Sequence, residues 1–279
     1  NRGPALFPDS DLDSSGAYSG SAFMHDGKIH YFYTGNVKHF DRDDYDYVLT
    51  GRDQNQIHMV TENPDKLGEK HIAVGPVDYP DDISTHVRDP KILEHDGIYY
   101  MVLGARTKDD RGCVLVYTSH DLECWKYATR IELGEKFGFM WECPDLFELD
   151  SELILVCCPQ GVPADGWRYQ NPHQCVWFRI EADWEAPSFK IAGQGMPPMV
   201  DAGFDFYAPQ SFADADGRRI MIGWAGCPDA TAQNPTAERG WQCALTVPRV
   251  LNMRDGKLCQ WPAREVEPVS YTHLRAHET

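Results

Sequence analysis

A single type of segment recurs along this chain, and it limits the possible folds more than any other feature. A short polar stretch enters an apolar strand, an Asp-Gly-type turn follows, and an aromatic-rich strand ends in glycine or proline. The copies read SGSAFMHDGKIHYFYTG from Ser19, RDPKILEHDGIYYMVLG from Arg88, ECPDLFELDSELILVCCP from Glu142 and YAPQSFADADGRRIMIG from Tyr207. A weaker fifth, TVPRVLNMRDGKLCQWP, starts at Thr246. Asp-Gly between alternating apolar residues predicts a tight hairpin, because the favoured two-residue turn needs positive φ at both central positions. It stands at Asp26-Gly27, Asp96-Gly97, Asp216-Gly217 and Asp255-Gly256, while the third copy substitutes the poorer Asp150-Ser151. Copy starts at 19, 88, 142 and 207 are spaced by 69, 54 and 65 residues, room for a four-stranded blade with generous loops. β-Branched and aromatic residues fill the periodic segments and prolines are spread throughout, so helix signals are weak. The expected fold is all-β, a β-propeller. A two-sheet sandwich would explain the hairpins, but not why polar residues stand at the same place in every copy.

A propeller gathers the entrances of its innermost strands around one central funnel. Here those entrances hold Tyr18-Ser19, Arg88-Asp89, Glu142, and Asp205 with Tyr207: three carboxylates, a guanidinium and aromatic rings. Carboxylates accept hydrogen bonds from sugar hydroxyls, aromatic faces cover apolar ring patches, and glycosidic cleavage needs one acid and one further carboxylate. An isolated Arg-Asp-Pro would read as a structural ion pair; the repeat makes it a funnel element. Glu142 between Trp141 and Cys143 is costly to bury unless partnered or neutral. Asp205 reads as substrate-binding or as a turn residue before a strand. Trp224 and Trp241 serve equally as inter-blade packing or as sugar platforms. Ser19 and Ser21 form no G-x-S-x-G and are binding or structural residues. Asp41 to Asp46 reads most simply as a solvated loop; lying next to the funnel, it could instead shape a leaving-group subsite.

Tyr18-Ser19-Gly20-Ser21, Tyr33-Thr34-Gly35-Asn36, Arg88-Asp89-Pro90, Trp141-Glu142-Cys143-Pro144-Asp145, Asp205-Phe206-Tyr207-Ala208-Pro209-Gln210, Gly223-Trp224 and Leu245-Thr246-Val247-Pro248-Arg249 occur in that order. Together they resemble glycoside hydrolase family 32, within it the bacterial sucrose-6-phosphate hydrolase and β-fructofuranosidase branch, from about Ala5 to Pro262. The resemblance implies a five-bladed propeller and a retaining double displacement on β-fructofuranosides, with no cofactor. It makes Glu142 the general acid and then the base, and Asp89 the residue that holds fructosyl hydroxyls and stabilises the transition state. Tyr18, Ser19, Arg88, Asp205, Tyr207 and Trp224 are the expected substrate-binding set. A general acid must hold its proton near neutral pH, which calls for desolvation or a nearby carboxylate. Trp141 and Cys143 are candidates for the first; Arg88 acts in the opposite sense and is read as orienting the carboxylates.

The family's nucleophile is the aspartate of an Asn-Asp-Pro-Asn-Gly segment, which this sequence lacks. The expectation is that roughly 40 to 50 residues, about one blade, precede Asn1 in the parent protein. A C-terminal β-sandwich is expected to be absent as well, and the isolated chain is expected to be nearly inactive and open-edged. Residues 1–269 are read as an incomplete catalytic propeller and 270–279 (SYTHLRAHET) as a non-native tail.

Composition narrows the partners. Against 26 Lys and Arg stand 43 Asp and Glu, a formal charge of −17 that disfavours nucleic acid and anionic membrane surfaces. The longest apolar run, Leu153 to Cys158, is far short of a bilayer span. Nine cysteines without C-x-x-C, and Asn234-Pro235-Thr236 with its blocking proline, read as cytoplasmic. Eleven histidines without H-E-x-x-H assign no metal. Cleavage of a small β-fructoside leads; fructosyl transfer, an inverting propeller glycosidase and a non-catalytic sugar-binding propeller are the competitors. Candidate cations for a phosphorylated substrate are Lys38, His39 and Lys91.

Overall fold

The computed structural model describes residues 4–193, 195–203, 205–231 and 234–267. The tail expected at 270–279 lies outside them. Four antiparallel sheets follow one another along the chain. Sheet I contains β1 (Ala17–His25), β2 (Lys28–Lys38), β3 (Arg52–Thr61) and β4 (His71–Val74); sheet II contains β5 (Ile83–His95), β6 (Ile98–Thr107), β7 (Gly112–Ser119) and β8 (Lys126–Ile131). Sheet III contains β9 (Met140–Leu149), β10 (Glu152–Gln160), β11 (Val176–Asp183) and β12 (Ser188–Ile191). Sheet IV contains β13 (Tyr207–Ala213), β14 (Arg219–Ala225), β15 (Ala244–Leu245), β16 (Arg249–Arg254) and β17 (Lys257–Pro262). In the first three sheets the strands lie in sequence order; in the fourth β14 pairs with both β15 and β16. The arrangement is four propeller blades. The fifth sequence copy is not a separate blade: its hairpin, β16 and β17, forms the outer half of sheet IV.

Strict alternation explains the stacking. Along β6, Tyr100 and Val102 face sheet III, joining Trp141, Leu155 and Phe178, whereas Met101, Leu103 and Ala105 face sheet I with Phe32 and Val74. A third layer, with Phe147, Ile154, Val156, Tyr207, Met221 and Leu251, lies between sheets III and IV. Central strands covered on both faces therefore read as near-continuous apolar runs. Leu6 and Leu12 cover the far side of sheet I over Tyr33, Ile57 and Met59. On sheet IV, Phe212, Leu245 and Trp261 remain exposed.

The hairpin turns follow the sequence. Asp26-Gly27, Asp96-Gly97 and Asp255-Gly256 carry positive φ at both positions. Asp150-Ser151 adopts the same turn, with φ of 50° and 65°. Asp216-Gly217 does not: only Gly217 has positive φ, and a wider loop is closed by the Asp214 carboxylate accepting from the amides of Asp216 (3.0 Å) and Arg218 (2.9 Å). Where sheet II meets sheet III, glycine is needed for contact. A Cβ on Gly112 would stand 2.1 Å from the Trp141 ring, and one on Gly104 would stand 2.2 Å from the Trp141 carbonyl oxygen.

Two stability changes should follow, read by denaturant unfolding. Ser151→Gly relieves a left-handed serine at an exposed turn and should stabilise by about 0.5–1 kcal/mol. Gly112→Ala should destabilise by about 1–3 kcal/mol through overpacking.

Candidate active site

All four innermost strands carry the same irregularity. Three residue steps along β1 (Ala17 to Gly20), β5 (Arg88 to Lys91), β9 (Glu142 to Asp145) and β13 (Tyr207 to Gln210) each span the distance covered by two steps on the partner strand. In three of them the residue before proline is left-handed: Asp89 (φ 65°), Cys143 (φ 48°) and Ala208 (φ 46°). Proline suits a bulge because it has no amide to leave unpaired, but left-handed backbone at such residues costs about 1–3 kcal/mol apiece. Sheet I helps to hold the first one. Thr34 Oγ1 accepts from the Asp89 amide at 2.9 Å, Gln54 Oε1 accepts from the Val87 amide at 2.9 Å, and Gln56 Nε2 donates to the Val87 carbonyl at 2.9 Å.

The bulges bring polar side chains of separate blades into contact. Glu142 Oε1 accepts from Arg88 Nε (2.8 Å) and Nη2 (2.6 Å), and Oε2 accepts from the Tyr207 hydroxyl (2.6 Å) and Gln160 Nε2 (2.9 Å). Asp89 Oδ2 accepts from the Cys143 amide at 2.8 Å. Ser21 Oγ donates to the Pro90 carbonyl at 2.7 Å, tying β1 to β5. Beneath this layer Lys91 Nζ lies 3.3 Å from Asp145 Oδ1 and donates to the Ser211 carbonyl at 2.6 Å, so β5, β9 and β13 are joined twice.

Arg88, Asp89, Glu142, Cys143, Gln160 and Tyr207 form the floor and wall of a funnel of about 650 Å³, lined also by Tyr18, Ser19, Ala208 and Trp224. A larger cavity of about 910 Å³ near Phe137, Trp177 and Met196 contains no innermost-strand residue, and none of the converging groups faces it. The funnel is the candidate site on chemical grounds.

Among the expected residues, Tyr18, Ser19, Arg88, Asp89, Glu142, Tyr207 and Trp224 all line the funnel. Asp205 does not: it is half-buried just ahead of β13 and outside the lining. Trp141 is fully buried, with its indole N–H on the Phe137 carbonyl (2.7 Å) and its ring stacked on Phe178, so it packs blades together instead of facing the funnel. Trp241 is exposed and outside the lining. Lys91 is committed to the layer beneath the floor, His39 lies 2.9 Å from Asp53, and Lys38 sits over Phe40. Sequence reasoning missed Gln160, Tyr47, Arg52, His86, Arg106 and Asp229, all of which line the funnel. Gln160 had a usable signal, a polar side chain closing the apolar run of β10.

Burial first, then the neighbouring Glu142 charge, push the Asp89 carboxyl up to about 6, against the opposing pull of Arg88 and the Cys143 amide. Burial and the same Glu142 charge raise the Tyr207 phenol well above its ordinary range, so it stays a hydrogen-bond donor. Burial, then Arg88 and Arg52, lower His86 to about 3, so it is neutral. Among the described residues no group of three or more His, Cys, Asp or Glu is placed to hold a metal ion, and no helix is long and apolar enough to cross a membrane.

Fold and site together define a β-propeller with a funnel at the ends of its innermost strands, lined by carboxylates and guanidinium groups together. Residues 1–262 match the glycosyl hydrolases family 32 N-terminal domain, and the chain belongs to that family. It is 40% identical over 269 residues to sucrose-6-phosphate hydrolase of Salmonella typhimurium, covering 94% of this chain and 54% of the relative. With the enzyme of the same name from Bacillus subtilis it shares 36% over 279 residues, 98% of this chain and 55% of the relative. The chain thus spans about half the length of these curated relatives. The solved sucrose-6-phosphate hydrolase of Lactobacillus gasseri superposes with a TM-score of 0.84 at 34% identity, over 96% of this chain and 53% of that one. A mutant β-fructofuranosidase from Bombyx mori, solved in complex with sucrose, gives 0.77 at 29% identity over 90% and 52%.

The raised Asp89 carboxyl has a direct consequence for stability. Between pH 4 and 6 the folded state holds more protons at this group than the unfolded state, so its contribution grows as pH falls through that window. His58, lowered to about 4 by burial, works in the opposite direction over part of the same window. Comparing the parent with Asp89→Asn tests this: the variant should gain stability relative to the parent as pH rises from 4 to 7, as read by denaturant unfolding at both values.

Proposed function

We propose that the funnel binds the terminal β-D-fructofuranosyl unit of a small sugar such as sucrose, sucrose 6-phosphate or a short fructan. The whole protein, in this reading, cleaves that unit with retention and hands it to water. The observation that carries the reading is the convergence on Glu142, whose two oxygens are held by Arg88 from one blade, Tyr207 from another and Gln160 from its own, beside Asp89. The names of the relatives from Salmonella typhimurium and Bacillus subtilis support the substrate class.

In the proposed mechanism Glu142 gives its proton to the leaving glycosidic oxygen and then takes one from the incoming water. Tyr207 donates to the carboxylate and can turn to accept when Oε2 carries the proton. Asp89 holds fructosyl hydroxyls as the ring becomes oxocarbenium-like, Arg88 fixes the two carboxylates, and Tyr18, Ser19 and Trp224 contact the sugar. Asp205 is given no contact. Asp229 is engaged by His173 at 2.9 Å, and no described residue is assigned as the nucleophile. By the family's layout the attacking aspartate belongs to a further segment, and residues 1–269 are the greater part of the catalytic propeller. We propose that the four sheets are four of five blades, a reading supported by the apolar side chains left exposed on sheet IV.

Titrating the chain with fructose while following tryptophan fluorescence tests the site. Saturable binding is expected, weakened about tenfold or more in Asp89→Asn. Sucrose incubated with the chain should release glucose at less than about a thousandth of the rate of a complete relative. Turnover at a comparable rate would sink the nucleophile assignment, and absence of fructose binding would sink the substrate class.

A further inference from the structure

Every cation on the funnel wall but one is matched by a carboxylate. Arg88 is matched by Glu142, and Arg106 by Asp110 at 2.5 Å, with its guanidinium over the Phe139 ring. Arg52 is the exception. It is 5% exposed, its Nε is buried without a hydrogen-bond partner, and among the described residues no carboxylate forms an ion pair with it. The Tyr47 ring lies 4.3 Å from its guanidinium carbon. Tyr47 packs on His86, whose ring is neutral: His86 Nδ1 lies 3.2 Å from Arg88 Nη1, and Nε2 lies 3.1 Å from the Tyr47 carbonyl. The nearby acidic run is engaged elsewhere or exposed. Asp44 pairs with Arg42, Asp46 accepts from the Val48 and Leu49 amides, Asp53 pairs with His39, and Asp41 and Asp43 face solvent.

A guanidinium is always charged and carries five donors, so burying one without an anion is costly. In a chain with 43 carboxylates this one has been left open towards the funnel. Its place says which part of a substrate it meets. Arg52 begins β3 at the funnel end, opposite Lys38, and β3 is two strands out from β1. At strand spacings near 4.8 Å, Arg52 stands about 10 Å outward from the innermost strand. That is about one sugar ring beyond the unit held over Glu142 and Asp89. A second cavity, of about 200 Å³, opens on its other side, lined by Ser84, Thr85 and Lys108.

We propose that Arg52 is a specificity residue that receives a phosphate monoester on the leaving-group sugar. The funnel is thereby fitted to a fructoside whose outer unit is phosphorylated, sucrose 6-phosphate in preference to sucrose. Arg52 forms the forked pair with phosphate oxygens, and Tyr47 holds the fork flat and supplies a ring beside the sugar. This inference rests on the reading of the floor as a fructosyl site.

Calorimetric titration of the 279-residue chain with fructose, then with glucose and glucose 6-phosphate in the presence of fructose, tests it. Glucose 6-phosphate should bind at least about tenfold more tightly than glucose, an advantage that shrinks with added salt. Arg52→Gln should abolish the advantage and leave fructose binding unchanged; Arg52→Lys should retain part of it. Inorganic phosphate should raise the melting midpoint of the parent more than that of Arg52→Gln, and the variant without phosphate should melt no lower than the parent. Equal affinities for glucose and its phosphate while fructose binds would overturn the role of Arg52. So would a preference that survives Arg52→Gln, or a variant that melts lower and shows no phosphate dependence in either form. Failure of fructose itself to bind would count against the fructosyl site, and the ratio of the two glucose affinities would still decide what Arg52 does.

Discussion

A sheet with two apolar faces is stable only when each face meets another layer. Sheets II and III of this chain are built that way throughout, and the rest of the structure follows from that requirement. Residues such as Tyr100 and Met101, adjacent in sequence, bury themselves in different inter-blade layers. Once sheets stack radially, their first strands have nowhere to go but the centre, and the ends of those strands become the only places where four sheets can share side chains. The candidate site lies at the centre because the faces of the sheets are taken up by packing between blades.

The centre is polar and still tightly built. Arg88 and Glu142 are both largely buried, a placement that is destabilising for either charge alone and tolerable only with complete hydrogen bonding. The four donors around Glu142 come from three strands besides its own, so the carboxylate is also a joint between blades. Asp89 lacks that degree of support, and its raised carboxyl records the difference. In its proposed role of holding sugar hydroxyls, Asp89 gains from such unmet demand, because the ligand then supplies what the protein withholds.

Much of this was legible in the sequence. Hairpins, blades and six of the expected funnel residues follow from turn chemistry and from polar residues recurring at a fixed place in each copy, and the seventh, Trp224, from the family resemblance. The exceptions have physical causes. The copy from Thr246 has the right local pattern, but pairing to β14 decides which blade a hairpin joins, and pairing is not local. Asp205 precedes a strand by two residues, and a turn there carries it away from the lining. Lys91 looks like a funnel cation by position, yet it lies beyond the bulge and is drawn to Asp145 below the floor. Arg52 gave no signal because what marks it is a missing partner, which only the folded arrangement reveals.

The shared bulge has a consequence for how such a chain tolerates change. Each innermost strand contains one residue more than its neighbour can match, so side chains before and after that point are counted in different parity. Arg88, Asp89, Glu142, Cys143, Tyr207 and Ala208 stand at the step itself and line the funnel, whereas Ile92, Leu146 and Phe147, farther along their strands, face the packed layers. Substitution at Asp89, Cys143 or Ala208 alters chemistry locally, but deletion of any one of them would merge the two counts and turn a whole strand end inside out. For this architecture, the length of a three-residue step is guarded more strictly than its spelling.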